Sequence, residues 1–301
     1  MELLYIKEYM ITISILNAIG ILNSAFIVAV NVMDLTNGRA LKSCDLMLLA
    51  VGISFAFCQC FRLSQSFLSY VLEDFQAMMY MLRASFLLHL WSGRSSIWFT
   101  ACLSVFYCVK IVDFNHHLFF WLKLKISRLV PWMLLCSVAQ SFVLTIPLFW
   151  YSCEESFQNS STNLSSCTTV PGTQLRYRKS HFIANSVLGV SLPLLLGIAA
   201  ISLILISLCR HTKRMRKNAS GFCQPRLDAH LGAAKMVGSL LLTYISALVA
   251  ECTALWTNSS LLIFICWIAL AAIIPAQSII LILGNTKLNK VFRTFFLTHQ
   301  N

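Results

Sequence analysis

The sequence predicts an all-α fold, a bundle of seven transmembrane helices with its N-terminus outside the cell, and three observations predict it. Hydrophobic residues make up 58% of the chain and charged residues only 11%, with a mean hydropathy of +0.74, whereas soluble domains are about a quarter charged. The apolar residues gather into seven runs, at 9–33, 44–70, 81–109, 129–150, 182–208, 232–254 and 261–284, each near or above the ~20 residues that cross a hydrocarbon core. The basic residues are unevenly shared: with the N-terminus outside, 16 of the 23 Lys and Arg residues fall in inner connectors and 5 on the outer side, which is a clear positive-inside signal.

Backbone groups in lipid must be satisfied internally, so each run is read as a helix. Met1 to Lys7 hold no cationic stretch of the kind that opens a signal peptide, and no small-residue cleavage site follows, so 9–33 reads as a retained first span. Arg62 lies within the second run, and Arg94 makes the third the least clean. A polar loop, 151–181, follows the fourth and holds the glycosylation sequons at Asn159 and Asn163 together with Cys153 and Cys167. If that loop is extracellular, Asn159 and Asn163 are acceptors, and Cys153 and Cys167 are either a disulfide or two free thiols. The sequon at Asn218 falls on the cytoplasmic side and is expected to stay bare. Glu251 sits near the outer end of the sixth run, Pro275 interrupts the seventh, and 285–301 is read as a short cytoplasmic tail.

Several function classes are disfavoured. The formal charge is +12, yet the cations are dispersed between apolar runs rather than gathered on one water-exposed face, which argues against a nucleic-acid partner. Twelve cysteines without paired Cys-x-x-Cys spacing make no metal site, and most of them lie in apolar runs, where cysteine behaves as a small hydrophobe. No metalloprotease helix, nucleophile elbow, phosphate loop or paired intramembrane carboxylates occur, so an enzyme is not expected, nor is a cofactor. A transporter or channel is the rival reading, since Arg62, His89, Arg94 and Glu251 are ionisable groups inside membrane helices. Against it stand the odd helix count and the absence of an internal repeat.

The third run is the most informative. His89, Gly93, Ser96, Thr100, Leu103, Tyr107 and Lys110 recur at spacings of three and four and therefore share one helix face. That face is polar at its outer end. Ser96 and Thr100 read equally well as a packing seam of small residues, whereas His89 near the outer mouth points to a ligand site.

The stretch Trp98-Phe99, Cys102-Leu103-Ser104-Val105-Phe106-Tyr107, Lys110-Ile111, Phe114 and Leu122-Lys123-Leu124-Lys125-Ile126 resembles the third helix and second inner loop of the type 2 taste receptors, the bitter receptors. A longer match runs from Pro193 through Leu205-Ile206-Ser207-Leu208-Cys209-Arg210-His211-Thr212-Lys213-Arg214-Met215 and Asn218-Ala219-Ser220-Gly221-Phe222 to Ser239-Leu240-Leu241-Leu242. Gly20, Asn31 and Asp34 fit the first helix and Ile280 to Leu288 the end of the seventh. The resemblance thus covers nearly the whole chain. It implies a G-protein-coupled receptor of the plasma membrane that binds small-molecule bitter agonists and activates a heterotrimeric G protein of the gustducin type. A vomeronasal type 1 receptor is the runner-up, and the His211-to-Ser239 pattern speaks against it.

The resemblance implies an agonist cavity between helices three, five, six and seven. Its candidates here are His89, Ser92, Gly93 and Ser96, then Asn185 and Gly189, Ala247 and Glu251, and Trp267. The inner face, by family position, is lined by Tyr107, Lys110, His211, Met215, His230 and Lys235. The chain departs from the family pattern at several places. Ser24 stands where an asparagine is usual, Phe55 where an arginine is usual, and Gln277-Ser278 replaces a His-Ser pair, so the polar network inside the bundle takes another form. In the third helix, His89 and Gly93 replace an aromatic residue and an asparagine, with Arg94 adjacent. His89 and Glu251 together would suit a cationic or hydrogen-bonding agonist bridging them.

Overall fold

A computed structural model of the chain describes residues 2–38, 40–71, 75–112, 117–159, 179–217, 224–257 and 259–298, and all of its regular structure is helical. Helices α1 (Glu2–Thr36), α2 (Ser43–Val71), α3 (Phe75–Ile111), α4 (His117–Asn159), α5 (Lys179–Lys217), α6 (Gln224–Trp256) and α7 (Ser260–Gly284) each enclose one of the seven apolar runs. An eighth helix, α8 (Thr286–Thr298), follows directly.

The bundle is organised around α3, which packs against α2, α4, α5 and α6, while α7 lies between α1 and α6. Six of the helices carry a stretch long and apolar enough to cross a membrane; α3, at 37 residues, does not. Its central place explains this. Arg94, Ser95, Ser96, Thr100 and Ser104 are all buried, so their polar groups meet other helices instead of lipid, and the serine and threonine hydroxyls bond back to carbonyls of α3 itself. The lipid-facing helices show the opposite pattern, with Leu22, Leu188 and Leu242 all about two-thirds exposed. Exposed apolar surface of that extent fits a bilayer rather than water.

The inner half of the bundle is filled by one apolar cluster that includes Ile27, Met47, Phe55, Leu103, Phe106 and Leu240. Close helix approach depends on glycine at several places, two of them against α6. A Cβ on Gly284 would lie 2.5 Å from Met236 Cγ and 2.7 Å from its Cβ, and one on Gly197 would lie 2.8 Å from Leu241 Cδ2. The first pins α7 to α6 and the second α5 to α6.

Two sequence readings need correction. The residues after 284 are not a plain tail, since Asn285 Oδ1 accepts from the amides of Lys287 at 3.0 Å and Leu288 at 3.1 Å and so caps a new helix. Helix α8 is strongly amphipathic, with Leu288 fully buried and Phe292 edge-on to Phe26 of α1 at 5.8 Å between ring centroids, as suits a helix lying along the inner membrane surface. The fourth helix also outruns its apolar stretch. It continues past Pro147 to Asn159, because 151–158 holds neither glycine nor proline to end it, so Cys153 and Asn159 belong to α4 instead of the loop. Asn163 and Cys167 lie outside the described residues, as does Asn218.

Candidate functional site

Towards the outer half of the bundle, α3 presents its polar face to α2, α4, α5 and α6. His89 turns to α2, its Nδ1 lying 3.0 Å from the carbonyl oxygen of Cys58 and 3.2 Å from Cys58 Sγ. Ser92 Oγ donates to carbonyls of its own helix, those of Leu88 and His89, both at 2.9 Å. Gly93 opens space, for a Cβ there would meet nothing nearer than Cys58 Sγ at 3.8 Å.

Deeper in the bundle, Tyr244 of α6 joins two of these hydroxyls. Its OH donates to Ser96 Oγ at 3.1 Å and lies 3.4 Å from Thr100 Oγ1. Ser96 and Thr100 in turn bond the carbonyls of Gly93 at 2.6 Å and of Ser96 at 2.9 Å. The phenol thus ties α6 to two successive turns of α3 and forms a floor under the outer half of the bundle. Sequence reasoning missed Tyr244, although Ala247 and Glu251, three and seven residues on, share its helix face.

Arg94 is the second residue that was not among the predicted contacts. It is 4% exposed, its Nη1 donates to the carbonyl oxygen of Leu144 at 2.7 Å, and Thr145 Oγ1 stands 3.4 Å away. Gly189 of α5 lies against the same side chain, since a Cβ there would be 3.1 Å from Arg94 Nε. The signal for Arg94 was its charge inside an apolar run. Glu251 is half-buried on α6 and feels the charges of Arg62 and Arg94. The charges of Arg62 and Arg94 both act on this one acid, from α2 and α3.

Ala247 and Trp267 are half-buried on α6 and α7. Asn185, His211, Met215 and His230 lie in α5 and α6, and their side chains are outside the described residues. A crevice of about 220 Å³ between α3 and α4, lined by Trp98, Cys102, Ser137 and Gln140 and closed on one side by Leu196, includes none of the predicted agonist contacts. Exposed Cys136, Gln140 and Leu196 place it on the lipid side of the bundle.

The polar network also takes the altered form that Ser24, Phe55 and Gln277 foreshadow. Phe55 is fully buried in the apolar core, Ser24 Oγ is 3.5 Å from Ser278 Oγ, and Gln277 Nε2 donates to Thr243 Oγ1 of α6 at 2.8 Å. On the inner side, Tyr107 OH lies 3.1 Å from Cys44 Sγ of α2, and Lys110 and Lys235 are exposed. Lys287 of α8 donates to Asn31 Oδ1 at 2.9 Å and pairs with Asp34 at 2.6 Å.

No group of three or more His, Cys, Asp or Glu side chains is placed to hold a metal ion among the described residues. The arrangement thus has buried polar groups in its outer half and the exposed cations Lys110 and Lys235 at its inner end.

A family profile described as "Taste receptor protein (TAS2R)" matches residues 1–300. The chain is 32% identical to human taste receptor type 2 member 9 over 292 residues, covering 94% of this chain and 91% of the relative. It is 31% identical to taste receptor type 2 member 40 of Gallus gallus over 285 residues, covering 91% and 89%. With taste receptor type 2 member 7 of Pan troglodytes it shares 33% over 282 residues, covering 90% and 86%.

Proposed function

We propose a function from one premise: the chain belongs to the taste receptor type 2 family. It is a bitter taste receptor, a multi-pass membrane protein of the G-protein-coupled class and not an enzyme. In the proposed mechanism, a small-molecule bitter agonist binds from the outer side between α3, α5, α6 and α7. Its contacts are His89, Ser92, Gly93, Ser96, Asn185, Gly189, Ala247, Glu251 and Trp267. Binding shifts the receptor only by its differential affinity for the active and inactive states. The active state opens the inner face to a heterotrimeric G protein of the gustducin type at the plasma membrane, through Tyr107, Lys110, His211, Met215, His230 and Lys235.

The observation that supports this best is the family match, which spans the chain from residue 1 to residue 300. The polar outer half of α3, floored by Tyr244, supports a ligand site there. The test is a calcium assay on cells expressing the full chain, challenged with a panel of bitter compounds with and without a co-expressed gustducin-type α subunit. A response that needs the α subunit is the expected result. A response that persists without it, or movement of the compound itself across the membrane, would point to a channel or transporter instead.

A further inference from the structure

Arg94 is a guanidinium sealed inside the bundle without a matching anion. It is 4% exposed, and among the described residues it makes no ion pair. One of its terminal nitrogens, Nη1, is used by Leu144 and Thr145 of α4, while the other, Nη2, is buried with no hydrogen-bond partner. A buried charge is costly unless it is paired and hydrogen-bonded, and in the hydrocarbon region ionisable groups mark a ligand or ion pathway by default.

The surroundings are built to hold the side chain in place. Leu144 is next to Val143, whose carbonyl Pro147 leaves without its usual amide donor, so α4 offers backbone acceptors in this turn. Gly189 of α5 packs close to the guanidinium, since a Cβ there would lie 3.1 Å from Nε, tighter than most side-chain contacts. The nearest acid to act on Arg94 is Glu251 of α6, and Glu251 is shared with Arg62 of α2. Glu251 thus acts on two cations, and the hydrogen bonds given for Arg94 use only Nη1.

We propose that Arg94 is the anchor for an anionic ligand group, a carboxylate or sulfonate carried by a small organic molecule, which accepts a hydrogen bond from Nη2. This rests on the receptor reading for the place of the site, and it reverses the charge of ligand that His89 and Glu251 suggest from the sequence. His89 is held by Cys58 of α2, whereas Arg94 keeps a free donor. An anion supplies an acceptor for the orphaned nitrogen. Arginine suits this task because its planar fork binds α4 with one nitrogen and presents the other in a fixed direction. Glu251 acts as a brake, since it repels the same anion.

The test uses the purified full chain in lipid nanodiscs and follows thermal unfolding. The probes are benzoate, 2-naphthoate and 2-naphthalenesulfonate, each beside its uncharged methyl ester or amide. At least one anion should raise the melting temperature while its neutral partner does not. Arg94→Gln should weaken the apparent affinity for that anion by about tenfold or more, as expected for loss of a hydrogen bond between charged groups. Arg94→Lys should retain part of it, and Glu251→Gln should strengthen it. If Arg94→Gln does not fold, Gly189→Ala crowds the guanidinium by a few tenths of an ångström without removing the charge and should weaken the anion more than its neutral partner. The proposal is overturned if no anion stabilises the wild type, if neutral partners match the anions, or if the Arg94 and Gly189 variants leave anion affinity unchanged. G-protein-dependent signalling by neutral bitter compounds is a separate readout, and its loss or survival bears on the receptor reading rather than on Arg94.

Discussion

Lys287, the second residue of α8, bonds Asn31 of α1 at 2.9 Å. The same ammonium pairs with Asp34 at 2.6 Å, one turn further along α1, and stands 3.9 Å from Asp45 of α2. One cation therefore gathers the inner ends of α1, α2 and α8. Lys287 and Asp34 are each about a quarter exposed, so solvent screens the pair and its own contribution is modest, whereas Asn31 is fully buried. Lys287→Met should cost about 1 kcal/mol. Thermal unfolding of the purified receptor, with Asp34→Asn and the double variant completing the cycle, measures how much of this is the ion pair.

Glycine positions give a prediction of opposite signs. Gly284→Ala and Gly197→Ala each place a methyl group against Met236 or Leu241, and should destabilise by about 1–3 kcal/mol through overpacking. Gly232 in α6 has nothing within 4 Å of a new Cβ, so Gly232→Ala should stabilise by about 0.5–1 kcal/mol through the unfolded chain. Parallel unfolding curves for the three variants would check the ordering.

Removing the phenol hydroxyl with Tyr244→Phe leaves Ser96 and Thr100 their backbone acceptors. The stability loss should therefore stay near 0.6 kcal/mol, about the average for hydrogen bonds between membrane helices. The effect on signalling should be larger than the effect on folding, because the link ties α6 to α3 beneath the outer half of the bundle. Dose-response curves at matched surface expression would show it; identical curves would mean that the link is purely structural.

Asn285→Ala should weaken α8, since the side chain satisfies two otherwise free amides. A loss of about 1 kcal/mol is expected, confined to α8. Hydrogen exchange should rise in 286–298 while α7 keeps its protection.

The seven spans and their direction are legible in the sequence because lipid imposes long apolar runs and the cation bias on any chain that crosses it. Helix α8 is not legible in that way. Residues 286–298 are too charged for a span, and what holds them is tertiary: the Asn285 cap, buried Leu288 and the contact of Phe292 with Phe26. The site is legible as residues on a face, but not in its pairings. His89 was read as facing a ligand, and its ring is engaged by Cys58. Ser96 and Thr100 had two readings from spacing alone, and it is Tyr244, distant in sequence, that makes them part of a network. Arg94 and Glu251 are legible as charges in apolar runs, while the sharing of Glu251 with Arg62 depends on tertiary packing that spacing does not reveal.

The polar core helix has a consequence for how the receptor is made. A segment with buried serines, a threonine and an arginine gains most when other helices cover those groups as it enters the bilayer. The third helix therefore takes that cover from the neighbours it packs against, the second already inserted and the fourth still to come. Biogenesis of this protein becomes a joint act of several segments, and substitutions on the partner faces of α2 or α4 can abolish surface display without touching any residue that meets a ligand.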